Sequence, residues 1–290
     1  MRFRPLAAGL MLLAGCSRHA STPAAHPTEF AALLALPSSP PTARLAYGAG
    51  PQQFGELRLP AGEGPFPLVV LVHGGCWRSA FDLAHDAPLA SALARAGLAT
   101  WLIEYRRVGD AGGGWPGTFA DVHDAVAYVA WLARHYPLDS TRVVLVGHSA
   151  GGELALHEGA ARAATPDAPR VRAVVSLAGI TDLRGYAAPT GCGSAVVPLM
   201  GGTADAVPDR YRAASPMDQP AAGLPVRLVH GAADPIVPLA QSQRYVAAAQ
   251  ARGGDASLTV VPAAGHFDLV DPTSAAWPTV RDVIRRASAP

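Results

Sequence analysis

The chain has 290 residues, half of them apolar, with a formal net charge of +1 and no run of basic residues. That length and apolar content suffice to bury a full core in one domain of catalytic size. The near-neutral balance excludes the electrostatic footprint of a nucleic-acid binder.

The chain begins "MRFRPLAAGLMLLAGC", with Arg2 and Arg4 ahead of a run of roughly ten apolar residues. This predicts an export signal over residues 1–15. It is too short to span a bilayer as a helix, which takes about 20 apolar residues. Leu13-Ala14-Gly15-Cys16 is similar to the bacterial lipobox. That resemblance implies a lipid on Cys16 and a membrane-anchored protein of the bacterial cell envelope, facing the periplasm or the exterior. Other readings of these residues are an ordinary cleaved signal, or a buried N-terminal helix with an incidental cysteine. Residues 16–44, rich in Ser, Ala and Pro, are predicted to be a solvated tether, with a short helix in "EFAALLAL".

From residue 45 to 290, short apolar runs alternate with amphipathic stretches. The predicted strands are "QFGELRL", "PLVVLVHGG", "LATWLIEYR", "RVVLVGHS", "RAVVSLAG", "VRLVHGAAD" and "ASLTVVPAAG". The clearest helices are "FDLAHDAPLASALARAG", "FADVHDAVAYVAWLARHY", "AGGELALHEGAARAA" and "AQSQRYVAAAQARG", with apolar residues three and four apart. Gly97, Pro137, Gly253 and Gly254 punctuate their ends. This order predicts an α/β fold: a mostly parallel sheet with helices on both faces. The stretch Ile180 to Leu224 interrupts the alternation and reads as a small lid or a long surface excursion. With Cys16 lipidated, Cys76 and Cys192 remain, either as a disulfide or as two buried thiols.

In open α/β sheets, ligands sit at the carboxyl ends of strands. Ser149 follows "RVVLVGH" inside Gly147-His148-Ser149-Ala150-Gly151, Asp234 follows "VRLVHGAA", and His266 follows "SLTVVPAAG". Serine, acid, histidine is the chain order of a nucleophile-elbow triad. With "HGGCW" at His73 to Trp77, "GAADPIVP" at Gly231 to Pro238 and "AGHFD" at Ala264 to Asp268, the chain resembles the α/β-hydrolase superfamily over nearly the whole globular part. The H-G-G-x-W form is similar to that of small serine esterases and arylformamidases, and the layout to peptidases of the prolyl-oligopeptidase group.

The resemblance implies the α/β-hydrolase fold, with at most a small lid, and these roles: Ser149 as nucleophile, His266 as general base and then acid, Asp234 orienting it. The oxyanion would meet the backbone N–H of Ala150 and a second from Gly75 or Cys76, with Gly74 also a candidate. Asp182 is the rival acid, while Asp268 and Asp271 read as loop residues. His73, His148 and His230 read as loop ties. Trp77, Tyr105, Trp115 and Phe267 lie beside these loops and line a pocket or pack the core. Arg106 and Arg107 read as solvated or salt-bridged. No H-E-x-x-H spacing occurs, and no metal or cofactor is expected.

The leading functional reading is a serine carboxylester hydrolase working through an acyl-enzyme. Its substrate would be a small-molecule ester or an acetyl or feruloyl ester on polysaccharide. The alternatives are an arylformamidase, a prolyl-oligopeptidase-type peptidase, and a non-catalytic binding protein on the same fold. No oligomeric state is read from the sequence.

Overall fold

The computed structural model describes residue 1 and residues 27–164, 170–189, 191–219 and 223–289. The export signal of residues 1–15 and its neighbour Cys16 thus lie, all but the first residue, outside the described residues. Among the described residues no helix is long and apolar enough to cross a membrane.

Eight strands form one sheet: β1 (Ala43–Ala46), β2 (Phe54–Arg58), β3 (Phe66–Val72), β4 (Ala99–Ile103), β5 (Leu138–His148), β6 (Val171–Leu177), β7 (Val226–Gly231) and β8 (Ala256–Val261), in the order β1-β2-β4-β3-β5-β6-β7-β8. β2 runs antiparallel to both of its neighbours, β1 and β4, and β3 to β8 run parallel to one another. The central strand β3 is an unbroken apolar run because helices cover both of its faces.

The helices are α1 (Phe30–Leu34), α2 (Ala87–Arg95), α3 (Gly117–Ala127), α4 (Val129–His135), α5 (Ala150–Ala163), α6 (Leu183–Tyr186), α7 (Val196–Met200), α8 (Pro208–Ala214), α9 (Ala240–Ala251) and α10 (Trp277–Ala287). One face of the sheet packs on Phe119 and Val122 of α3, Leu154 of α5 and Tyr245 of α9. The other packs on Leu33 of α1, Leu89 and Leu93 of α2, and Val280 and Ile284 of α10. This is the α/β-hydrolase fold.

Three local features depart from the sequence reading. The helix expected over 119–136 is two, α3 and α4, meeting at Tyr128. The edge strand β1 and the helix α10 add to the elements expected from the sequence. The third concerns residues 16–44, whose described part is no tether. Thr28 donates its N–H to Asp268 Oδ1 (3.1 Å) and shares its one hydroxyl proton between Asp268 Oδ1 (2.8 Å) and Asp271 Oδ2 (2.9 Å). Leu33 is fully buried, and Ser39 bonds to the Ser91 hydroxyl at 2.9 Å. A few apolar anchors outweigh a polar average composition, since each buried Leu or Phe is worth about 1.5–3 kcal/mol.

Candidate active site

β3, β5, β7 and β8 end on one edge of the sheet, and the loops that follow bring Cys76, Ser149, Asp234 and His266 there. Ser149 sits between β5 and α5 at φ +56°, ψ −118°, a conformation that side chains rarely adopt. Close packing enforces the corner: a Cβ at Gly147 would collide with the carbonyl of Gly151, and one at Gly151 with those of Val72 and His73. Only glycine lets the elbow lie this near β3. Cys76 and Trp77 also have positive φ, at 53° and 54°.

His266 Nδ1 donates to Asp234 Oδ2 at 2.7 Å. Asp234 Oδ1 accepts the N–H of Ile236 (2.8 Å) and Val237 (2.9 Å), and His230 Nε2 stands 3.4 Å from Oδ2. Burial alone would raise the Asp234 carboxyl. The hydrogen bonds from His230 and His266, the His266 charge and the Val237 N–H outweigh it and hold the group well below the usual carboxylate range.

Ser149 and His266 line one pocket of about 320 Å3, with Gly75, Cys76 and Cys192 at its wall. Its exposed lining is overwhelmingly apolar, through Phe30, Phe81, Ile236 and Phe267. Larger hollows of about 960 and 440 Å3 open near the amino ends of β6 and β7 and contain none of these residues. Among the described residues, the backbone N–H groups of Gly75, Cys76 and Ala150 donate to no protein acceptor. Cys76 and Cys192 form a disulfide, with Cα atoms 5.1 Å apart. It ties the "HGGCW" loop to the excursion that carries α6, α7 and α8, which packs on the core through Leu183, Val196, Leu199 and Tyr211.

The remaining sequence candidates fall elsewhere. Asp182 accepts the N–H of Gly185 at 2.9 Å and stands 3.7 Å from Arg244, as the cap of α6. Asp268 and Asp271 hold Thr28, and Asp268 also accepts the N–H of Gly265 at 2.6 Å, bracing the His266 loop. His73 Nε2 pairs with Glu104 Oε1 at 2.9 Å, and its carbonyl accepts the Tyr105 hydroxyl at 2.7 Å. His230 Nδ1 meets the Ser242 hydroxyl at 2.7 Å. Arg106 grips Asp121 (2.8 and 2.6 Å), and Arg107 pairs with Glu104 (3.0 Å) and Asp110 (3.2 Å).

Of the four aromatic candidates only Phe267 lines the pocket. Trp77 donates its indole N–H to Glu153 at 3.1 Å, and burial pushes that carboxyl up. Tyr105 stacks on His73, and Trp115 meets Phe119 edge to face. Phe30, Phe81 and Ile236 were missed as pocket residues. No local pattern marks them, and Phe30 lies in a segment of tether-like composition.

The BD-FAE family model matches residues 56–248. Esterase LipC of Mycobacterium tuberculosis is 28% identical over 244 residues, covering 79% of this chain and 60% of LipC. The chain thus spans less than two thirds of that curated relative's length. Among solved structures, a truncated form of a carbohydrate esterase from gut microbiota aligns with a TM-score of 0.74 at 22% identity, covering 91% of this chain and 99% of that one. Esterase B from Lactobacillus rhamnosis aligns with a TM-score of 0.75 at 20% identity, covering 89% of each chain. These two structures share the fold.

Proposed function

The chain belongs to the BD-FAE family, and on that premise we propose that it is a serine hydrolase cleaving carboxylic esters through an acyl-enzyme on Ser149. The observation that carries this reading is the 2.7 Å hydrogen bond from His266 to Asp234, made by a histidine that shares an apolar pocket with a serine held at positive φ. With its N–H fixed on Asp234, the Nδ1 side of His266 is spoken for and Nε2 keeps its lone pair. Nε2 takes the proton as Ser149 Oγ attacks the acyl carbon. It then returns that proton to the departing alkoxide, and a water molecule repeats the cycle to release the acid.

The tetrahedral oxyanion accepts from Ala150 N–H and from Cys76 N–H, with Gly75 and Gly74 as the other donors on that loop. One such donor is worth about 3–4 kcal/mol in the transition state. The pocket suits a short or aromatic acyl group, because its lining offers rings and few polar partners. The neighbour named a carbohydrate esterase supports a sugar-borne acyl ester among the substrates. Lipidation of Cys16 would hold the enzyme at the cell envelope, a reading supported by Arg2, Arg4 and the Leu-Ala-Gly-Cys sequence.

The test is hydrolysis of p-nitrophenyl acetate by the purified protein beside Ser149→Ala, with alkyl fluorophosphonate labelling of both. The expected outcome is label on the wild type alone and a rate lower by at least about a thousandfold in the variant. Equal rates in the two proteins would overturn the assignment of Ser149.

A further inference from the structure

Three acceptor side chains meet at the wall of the Ser149 pocket. His85 and Asp86 belong to the short 3-10 turn Leu83–Asp86 leading into α2, and His148 ends β5. Potential ligand atoms of the three lie within 4.8 Å of one another. The residues are buried, with exposures of 2%, 1% and 2%.

The placement of their protons sets this cluster apart. A neutral imidazole has one N–H and one lone pair. The N–H of His148 is Nε2–H, because Nε2 lies 3.1 Å from the carbonyl oxygen of His266, which can only accept. Nδ1 therefore carries the lone pair, and it has no partner among the described residues. The His85 ring is hydrogen-bonded to the Asp82 backbone, and its Nε2 faces Asp86 Oδ1 at 3.7 Å. Asp86 Oδ1 likewise has no partner among the described residues. Acceptors thus converge in a buried space to which no other described residue brings a donor, which is costly unless something positive sits between them.

We propose that His85, Asp86 and His148 bind one divalent transition-metal ion of the Zn2+ or Co2+ class. Two imidazole nitrogens and one carboxylate oxygen form a donor set these ions favour. Each imidazole is braced through hydrogen bonding to backbone, as ligating histidines are. Bonds of about 2.0–2.2 Å place tetrahedral ligand atoms roughly 3.3 Å apart, so closure asks side-chain shifts of about an ångström. His85 and His148 also line the pocket, which can supply water as a further ligand. The His148 ring lies 4.5 Å from that of His266. A cation there opposes the positive charge His266 gains during acyl transfer, so bound metal slows the proposed hydrolysis. The sequence hides the site because His148 stands far from the adjacent His85 and Asp86.

The experiment is Co2+ titration of the metal-free full-length protein, read by visible d–d absorption, with Zn2+ displacement. The expected result is one equivalent per chain, displaced by Zn2+ and weakened at least about tenfold in both Asp86→Asn and His85→Gln. Asp86→Asn is expected to keep the wild-type melting profile and hydrolytic rate. Saturating Zn2+ is expected to cut the wild-type rate roughly tenfold and to spare Asp86→Asn. No d–d band would overturn the site, leaving a bridging water or a proton on Asp86 to satisfy the acceptors. A band of equal affinity in wild type and both variants would overturn it too. A wild-type rate unchanged at saturation would overturn the coupling to His266. Because binding is read optically, it stands or falls apart from hydrolysis.

Discussion

Asp234 serves loop and imidazole with separate oxygens: Oδ1 fixes the turn through Ile236 and Val237, and Oδ2 holds His266. Replacement by Asn keeps an acceptor but offers an N–H where His266 needs a carboxylate, which favours the wrong tautomer. In the serine-protease template such a change costs about 10^4 in kcat, and a loss of that order with little change in KM is expected for Asp234→Asn. A rate within tenfold of wild type would move the acid elsewhere, and Asp182→Asn is the control. The same carboxylate bears on stability. Its folded value is depressed below the unfolded value of about 4, so its contribution is complete above that pH and fades as pH falls toward the folded value. The melting-temperature gap between wild type and Asp234→Asn should therefore narrow on acidification below about pH 4. A gap constant down to pH 2 would contradict the depressed value.

At the scale of elements, α1 matters more than its five residues suggest. Phe30 packs against Phe81, His85 and Phe267 with ring centroids 5.4, 5.5 and 5.5 Å away, and it forms part of the pocket lining. Truncating it opens the pocket where an acyl chain would lie. Phe30→Ala is expected to raise kcat/KM for p-nitrophenyl hexanoate relative to acetate by about tenfold, since each methylene in an apolar pocket is worth roughly 1–3 kcal/mol. An unchanged ratio would mean that the acyl group lies elsewhere. The central strands and the Ser149 elbow were legible because their signals are local: continuous apolar runs, and two glycines flanking a serine. β1, reading Ala-Arg-Leu-Ala, is too short for alternation to register, and no Pro or Gly marks the break between α3 and α4 at Tyr128. The Cys76–Cys192 bridge spans 116 residues, and only the folded chain shows that their Cα atoms approach.

For the molecule as a whole, the parallel sheet gathers its carboxyl ends, and with them Cys76, Ser149, Asp234 and His266, on one edge. The N-terminal segment arrives at that same edge. Thr28 is fastened by Asp268 and Asp271 in the loop beyond His266, and Phe30 packs on the pocket rings. A lipid on Cys16 would therefore act close to the site: the twelve residues from Cys16 to Thr28 reach at most about 40 Å when fully extended. Anchoring would hold the pocket near the bilayer while leaving the body in water. Bacteria expressing the full chain and fed an alkyne palmitate analogue should yield a labelled protein that partitions into detergent. Cys16→Ser should lose both properties while keeping ester hydrolysis, because the variant leaves Ser149 and the His266–Asp234 pair in place. Label that persists in Cys16→Ser would overturn lipidation at this residue. Loss of hydrolysis together with label would instead tie Cys16 to folding or export.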